Sequence, residues 1–157
     1  MTAPAPALDV DGPSRASLSE AWSVDPGVLD TPIRLLIVDD DETTRELLRD
    51  VLSGLGFQVV GGSGDGAEAY EMVCRLKPEV VLMDLRMPGM DGIDATTLMK
   101  ARVPRTQVVI LTAFFERDSQ WAAELEGAAS FLDKDAPLDV LVEALRDAAL
   151  TYRTVPE

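Results

Sequence analysis

The chain has 157 residues, which is enough for one ordinary domain with a short extension. It carries 28 acidic and 14 basic side chains, and the formal net charge of −14 argues against a nucleic-acid or anionic membrane surface. The absence of histidine and the single cysteine exclude histidine-based catalysis, phosphohistidine on this chain, an internal disulfide and a multi-cysteine zinc site. Without a long apolar run or a signal-peptide pattern, the composition predicts a soluble cytoplasmic protein.

The composition changes near residue 32. Residues 1–32 are rich in proline and contain five acidic residues against one base, and their apolar residues follow no period. This segment is therefore predicted to be a flexible, acidic, proline-rich extension. A single domain is predicted for residues 33–150, and residues 151–157 are predicted to be a C-terminal tail or the start of a linker.

From residue 33 onward, short aliphatic runs alternate with helical patterns. The runs are continuous and rich in β-branched residues, which is typical of strands covered on both faces. They occupy residues 33–38, 57–60, 80–83, 108–111 and 129–132. Strands and helices that alternate at this spacing predict right-handed crossovers, a parallel five-stranded sheet and an α/β fold of the (βα)₅ type.

The predicted helices differ in the clarity of their apolar faces. The first has Leu47, Leu48, Val51, Leu52 and Leu55 at helical spacing, and two further helices, near residues 69–76 and 138–149, show a similar stripe. Segments 91–103 and 116–126 are weaker by period alone. In the second of them, Trp121 and Leu125 are spaced as an i, i+4 pair, which is interpreted as core packing rather than as a partner site.

Polar side chains follow four of the aliphatic runs. Asp39 and Asp40 follow the first, Asp84 the third, Thr112 the fourth and Lys134 the fifth. In open parallel sheets, ligands bind beyond the carboxyl ends of the strands, near a switch in strand order. With the doubly wound order 2-1-3-4-5, the first and third strands are neighbours, and these side chains are expected to share one rim of the sheet.

The predicted cluster suggests a specific chemistry. Three carboxylates in one pocket repel each other and raise each other's pKa. A divalent cation that prefers oxygen ligands relieves this repulsion, and Mg²⁺ suits such a set. Lys134 supplies a positive charge for an oxyanion. A cation, a carboxylate, a lysine and a hydroxyl form a phosphoryl-transfer set, in which the carboxylate itself can be the nucleophile. The neighbouring Asp41 is interpreted as the N-cap of the first helix, and Asp91 as a residue that fixes the turn or caps the third helix rather than binding metal.

Four segments together resemble the receiver domain of two-component response regulators, which has a flavodoxin-like, chemotaxis-regulator-type fold. They are LIVDDD (36–41), VLMDLRMPGMDG (81–92), VILTA (109–113) and FLDK (131–134). The resemblance implies that Asp84 accepts a phosphoryl group from a sensor histidine kinase or a phosphotransfer protein. It implies further that Asp39, Asp40, Asp84 and the main-chain carbonyl of Arg86 hold Mg²⁺, and that Lys134 pairs with the phosphoryl oxygens.

The resemblance also implies how the signal leaves the site. Thr112 would move toward the phosphoryl group, and Phe131 would follow it inward as a rotameric switch. The face made by the fourth helix, fifth strand and fifth helix would then present this change to an output protein or output domain, or to a second copy in a homodimer. Such a domain is regulatory and catalyses only its own phosphorylation and dephosphorylation. It is expected to contact neither nucleic acid nor membrane directly.

Several alternatives stay open or are disfavoured. Residues 134–137 resemble those of NarL-type regulators. The chain is expected to be either a stand-alone receiver or the receiver part of a longer transcriptional regulator. A phosphorylation-independent docking module, a pseudo-receiver, is the main alternative function. A phosphatase resembling the haloacid dehalogenase group is disfavoured, since Asp84-Leu85-Arg86 lacks the second acid. A flavodoxin is disfavoured because the acidic loop after the first strand would repel a phosphate.

Overall fold

The computed structural model describes residues 29–113 and 117–155. It divides the chain into two units, Met1–Thr31 and Pro32–Glu157, and the second contains the sheet. The extension predicted for residues 1–32 lies almost entirely outside the described residues. Within the described part of the chain, no helix is both long enough and apolar enough to cross a membrane.

In the described part of the second unit, five strands alternate with five helices. The strands are β1 (Ile33–Val38), β2 (Phe57–Ser63), β3 (Val80–Met83), β4 (Gln107–Thr112) and β5 (Ser130–Asp133). The helices are α1 (Glu42–Ser53), α2 (Gly66–Leu76), α3 (Gly92–Arg102), α4 (Arg117–Leu125) and α5 (Leu138–Thr154). All strand pairs are parallel and the order is β2-β1-β3-β4-β5, which confirms the predicted doubly wound α/β sheet.

The core lies on both faces of the sheet, because successive strand residues point to opposite sides. One cluster takes alternate residues of β1, β3 and β4, such as Leu36, Val81 and Ile110, and packs them against α2, α3 and α4. None of its members belongs to α1 or α5. The intervening strand residues, including Leu35 and Leu82, are equally buried, and α5 packs on β3 and β4. This two-sided burial explains why the strands read as continuous aliphatic runs.

The buried faces of α1 and α4 are narrower than their sequence patterns predict. On α1, Leu52 is fully buried whereas Leu47 is 61% exposed, and Leu55, which was predicted to share this face, lies beyond the end of the helix and is 38% exposed. The interpretation of Trp121 as a core residue is wrong, because its side chain is 65% exposed on α4. An i, i+4 spacing puts two residues on one helix face but does not decide whether that face meets the sheet. The side chain of Leu125 lies outside the described residues.

An ion pair between the buried Glu79 and the half-buried Arg153 lies at the end of the domain that is remote from the strand carboxyl ends. The Glu79 carboxylate, just before β3, accepts hydrogen bonds from Nε and Nη2 of Arg153 and from the backbone N–H of Arg34. Nη2 of Arg153 also donates to the carbonyl of Pro32 at 3.1 Å. Arg153 belongs to α5, which continues through Thr154, so that residue 150, where the predicted domain ends, lies inside this helix.

Candidate functional site

Three of the predicted residues converge at the carboxyl ends of β1 and β3. One carboxylate oxygen from each of Asp39, Asp40 and Asp84 lies within 4.8 Å of the others. The sheet creates this cluster, since β1 pairs with β3 and the backbone N–H of Asp84 donates to the carbonyl of Val38. Asp39 and Asp84 are 3% and 7% exposed, while Asp40 is exposed. Carboxylate oxygens in such a cluster are a donor set that suits Mg²⁺.

Lys134 brings a positive charge to the same cluster from the loop after β5. Its Nζ lies 2.6 Å from Oδ2 of Asp39 and 3.6 Å from Oδ2 of Asp84, so it contacts Asp39 more closely than the predicted phosphoacceptor. The loop is held by the backbone N–H of Lys134, which donates to the Thr112 carbonyl at 2.9 Å. Burial alone would lower the pKa of Lys134, but the carboxylates of Asp39 and Asp84 outweigh it and raise the pKa.

The electrostatics of Asp84 follow from its burial among acids. Burial raises the pKa of the Asp84 carboxyl, and the negative charge of Asp39 raises it further. Lys134 and a hydrogen bond from the backbone N–H of Arg86 lower this pKa and offset part of the rise. Burial and the neighbouring negative charge make the ionised form of Asp84 unfavourable, and a cation that binds beside it would stabilise that form.

The raised pKa of Asp84 predicts a pH-dependent gain in stability for Asp84→Asn without metal. The folded chain holds the Asp84 proton more tightly than the unfolded chain, so that ionisation of this carboxyl destabilises the fold as the pH rises through the raised pKa. In EDTA at pH 7, Asp84→Asn should therefore have a larger free energy of unfolding than the wild type. The gain should shrink toward the pH of about 3.9 where an unfolded aspartate titrates. Urea unfolding at a series of pH values measures it.

The matched control is Asp41→Asn. A hydrogen bond from Thr44 lowers the pKa of Asp41, and this carboxylate should bring no stability gain when it is neutralised at pH 7. A gain for Asp84→Asn that was the same at every pH would contradict the electrostatic explanation.

The two predicted switch residues lie on β4 and β5: Thr112 is the last residue of β4, and Phe131 lies within β5. Thr112 is fully buried, and Phe131 is 7% exposed and belongs to the core cluster that packs against α2, α3 and α4. Phe131 is opposite Ile110 in the β4–β5 register, and Thr112 is opposite Asp133. Both side chains therefore lie inside the domain, and the main-chain carbonyl of Thr112 accepts the backbone N–H of Lys134.

The acids interpreted as helix caps are confirmed in that role. The Asp41 carboxylate accepts the backbone N–H of Thr43, and Asp91 accepts that of Asp94 at the start of α3. Both side chains satisfy N–H groups that a helix leaves unpaired at its beginning. Neither is part of the three-carboxylate cluster found among the described residues.

Gly92 lets α3 begin directly against the backbone of the phosphoacceptor candidate. A Cβ at this position would meet the carbonyl oxygen of Asp84 and would lie 2.9 Å from Cα of Leu85. Because backbone atoms cannot move aside cheaply, Gly92→Ala is expected to destabilise the fold by about 1–3 kcal/mol in urea unfolding. Gly54→Ala is the control, since its Cβ would have only the Val51 carbonyl, at 3.6 Å, as a near contact. Equal stability of the two variants would contradict this prediction.

One residue at this site was not predicted from the sequence. Nη1 of Arg45, on α1, donates to the main-chain carbonyl of Asp39 at 2.5 Å. The sequence did contain an indication of this contact. An arginine in the first turn of a helix interacts unfavourably with the helix dipole, so a contact with another part of the chain could have been expected.

Known proteins are similar to this chain in sequence and in fold. A family model for the response regulator receiver domain matches residues 35–146. The transcriptional regulatory protein PdtaR of Mycobacterium tuberculosis is 37% identical over 125 residues, covering 79% of this chain and 60% of that protein. The nitrate/nitrite response regulator protein NarP of Escherichia coli is 37% identical over 120 residues, covering 76% of this chain and 56% of that protein. This chain thus spans little more than half the length of these relatives.

A solved structure extends the similarity to three dimensions. The signal receiver domain of the response regulator NarL from Mycobacterium tuberculosis superimposes with a TM-score of 0.72 at 35% sequence identity. The match covers 76% of this chain and 97% of that one.

Proposed function

The chain belongs to the response regulator receiver domain family, and from this premise we propose that it is a phosphorylation-controlled switch of a two-component system. In this proposal a sensor histidine kinase or phosphotransfer protein in the cytoplasm donates a phosphoryl group to Asp84. The observation that carries the proposal is the convergence of Asp39, Asp40 and Asp84 with Lys134 at one end of the sheet.

The proposed step is an in-line transfer to the Asp84 carboxylate. A carboxylate oxygen attacks phosphorus, a P–O bond forms, and the P–N bond to the donor histidine breaks with its electron pair leaving on the imidazole. Asp39, Asp40, Asp84 and the main-chain carbonyl of Arg86 would hold Mg²⁺, which when bound neutralises charge on the phosphoryl oxygens. Lys134 would pair with one of those oxygens, and the 3.6 Å between its Nζ and Oδ2 of Asp84 supports this role.

The proposed output begins with the added charge. A phosphoryl group brings about −1.5 to −2 charge and three acceptor oxygens to Asp84. These oxygens would attract the Thr112 hydroxyl, and Phe131 would follow into the space that Thr112 vacates. Because Phe131 is packed in the core, its movement would alter the face made by α4, β5 and α5.

This face is the proposed contact for an output protein, an output domain or a second copy of the chain. The exposure of Trp121 on α4 and of Leu138, 46% exposed at the start of α5, supports that proposal. In this role the chain is a regulatory domain whose only catalysis is its own phosphorylation and dephosphorylation.

The experiment is intact-mass analysis after incubation with Mg²⁺ and acetyl phosphate. One phosphoryl adduct is expected on the wild-type chain and on Asp135→Asn, which removes an exposed acid just after Lys134. No adduct is expected on Asp84→Asn or in EDTA. A folded wild-type chain that stays unmodified would contradict the proposal and favour the phosphorylation-independent docking module.

A further inference from the structure

Arg45 connects α1 to the backbone that carries two of the clustered carboxylates. Its guanidinium Nη1 donates to the carbonyl of Asp39, and this carbonyl belongs to the peptide that joins Asp39 to Asp40. β1 ends at Val38, so the Asp39 carbonyl lies just beyond the strand. The side chain of Arg45 is half-buried, which keeps its hydrogen bond partly shielded from water.

Glycines at the end of β2 and in the following loop leave room for the Arg45 side chain. A Cβ at Gly64 would lie 3.0 Å from Nη1 of Arg45, 3.3 Å from Cα of Asp40 and 3.5 Å from the Asp39 carbonyl oxygen. A Cβ at Gly62 would lie 3.7 Å from Cδ of Arg45. The Arg45 side chain therefore lies against Gly62 and Gly64, and a Cβ at Gly62 would also lie 3.6 Å from Nη2 of Arg49.

The remaining hydrogen bonds of Asp39 show what the arginine adds. Oδ1 of Asp39 accepts the backbone N–H of Asp41, Oδ2 contacts Lys134, and the Asp39 N–H donates to the Ser63 carbonyl. With Arg45 on its carbonyl, Asp39 is held at its backbone N–H, its carbonyl and its carboxylate. Asp40 is exposed, so the plane of the peptide that precedes it helps to decide where its carboxylate lies.

We propose that Arg45 is a positioning residue for the metal: by holding the Asp39–Asp40 peptide, it keeps both carboxylates directed into the cluster before Mg²⁺ binds. This inference rests on the proposed function, because the magnesium site is part of it. A positive charge acting through space alone would do the opposite and weaken Mg²⁺ binding. The sign of the effect on metal affinity therefore separates positioning from simple charge compensation.

The test is isothermal titration calorimetry of Mg²⁺ on folded variants, with circular dichroism as the folding check. Arg45→Met is expected to bind Mg²⁺ about 10–100-fold more weakly, the range typical for loss of a group that orients a metal ligand. Arg49→Met is the matched control, because it removes the same charge from an exposed position one turn further along α1. It should leave the affinity unchanged or slightly higher, and Arg45→Lys should recover part of the loss.

Gly64→Ala tests the same contact without changing any charge. Its new Cβ would displace the Arg45 guanidinium or the Asp40 backbone, and weaker Mg²⁺ binding is expected. The inference is overturned if Arg45→Met binds Mg²⁺ as well as or better than the wild type, or if Arg49→Met loses as much affinity. If Arg45→Met fails to fold, unchanged affinity in both Arg45→Lys and Gly64→Ala overturns it. A wild-type chain that binds no Mg²⁺ would overturn the proposed function along with it, whereas failure of the variants alone removes only this inference.

Discussion

Lys134→Ala is expected to bind Mg²⁺ more tightly than the wild-type chain and yet to accept a phosphoryl group far more slowly. The lysine Nζ lies 2.6 Å from Asp39 and competes with a cation for its carboxylate. Charge-assisted contacts are worth about 1.5–3 kcal/mol, so loss of the lysine should increase the Mg²⁺ affinity about tenfold or more. The same lysine is the proposed partner of the phosphoryl oxygens, and losing such a donor typically slows a reaction by about 10²-fold or more.

The two effects are measured separately. Calorimetry gives the Mg²⁺ affinity, and time-resolved intact mass gives the rate of phosphorylation by acetyl phosphate at saturating Mg²⁺. Lys77→Gln is the control, since Lys77 is exposed at the end of α2, among the described residues outside the acidic cluster. Weaker Mg²⁺ binding by Lys134→Ala would show that the lysine organises the acids rather than competing for them. An unchanged phosphorylation rate would remove Lys134 from the proposed transfer step.

Arg153→Met is expected to lower the free energy of unfolding by about 3 kcal/mol, because it leaves the Glu79 carboxylate buried without its cation. The side chains of Glu79 and Arg153 are 9% and 14% exposed, so water screens this pair only weakly. Methionine keeps most of the apolar volume and isolates the loss of charge and hydrogen bonds. Urea unfolding measures the change, and Arg102→Met, at an exposed position near the end of α3, should change stability by at most about 0.5 kcal/mol.

A double variant separates the effect of the unpaired Glu79 charge from the effect of the packing lost with the Arg153 side chain. Glu79→Gln combined with Arg153→Met leaves no buried charge, and the glutamine can still accept the N–H of Arg34. It should be more stable than Arg153→Met alone. If the double variant loses as much free energy of unfolding as Arg153→Met and Glu79→Gln lose together when measured singly, the unpaired buried charge does not cause the destabilisation. Phosphorylation of Asp84 should be unaffected wherever the variants stay folded, since the pair lies at the remote end of the sheet.

The local features of this fold could be predicted from the sequence. Aliphatic runs such as 80–83 predicted strands that are buried on both faces, and Val80 to Met83 are all buried. Asp41 and Asp91 were recognisable as caps because a cap bonds to backbone two or three residues away. The meeting of Asp39 and Asp84 followed from strand order alone, because parallel strands end at the same edge of the sheet.

The contacts between distant elements needed the tertiary structure. Arg153 and Glu79 are 74 residues apart, and no period in the sequence pairs them. Periodicity likewise shows which residues share a face of α4, but only the docking of the helix decides that Trp121 remains exposed.

The sequence by itself determined the order of the elements, the rim on which the acids meet and the chemistry that those acids favour, because each depends on local backbone preference or on strand order. Only the tertiary structure decided that Lys134 contacts Asp39 more closely than Asp84, and that Arg45 holds the Asp39 carbonyl. Both facts depend on where long side chains reach across loops, and rotatable side chains take their direction from neighbours that are remote in sequence.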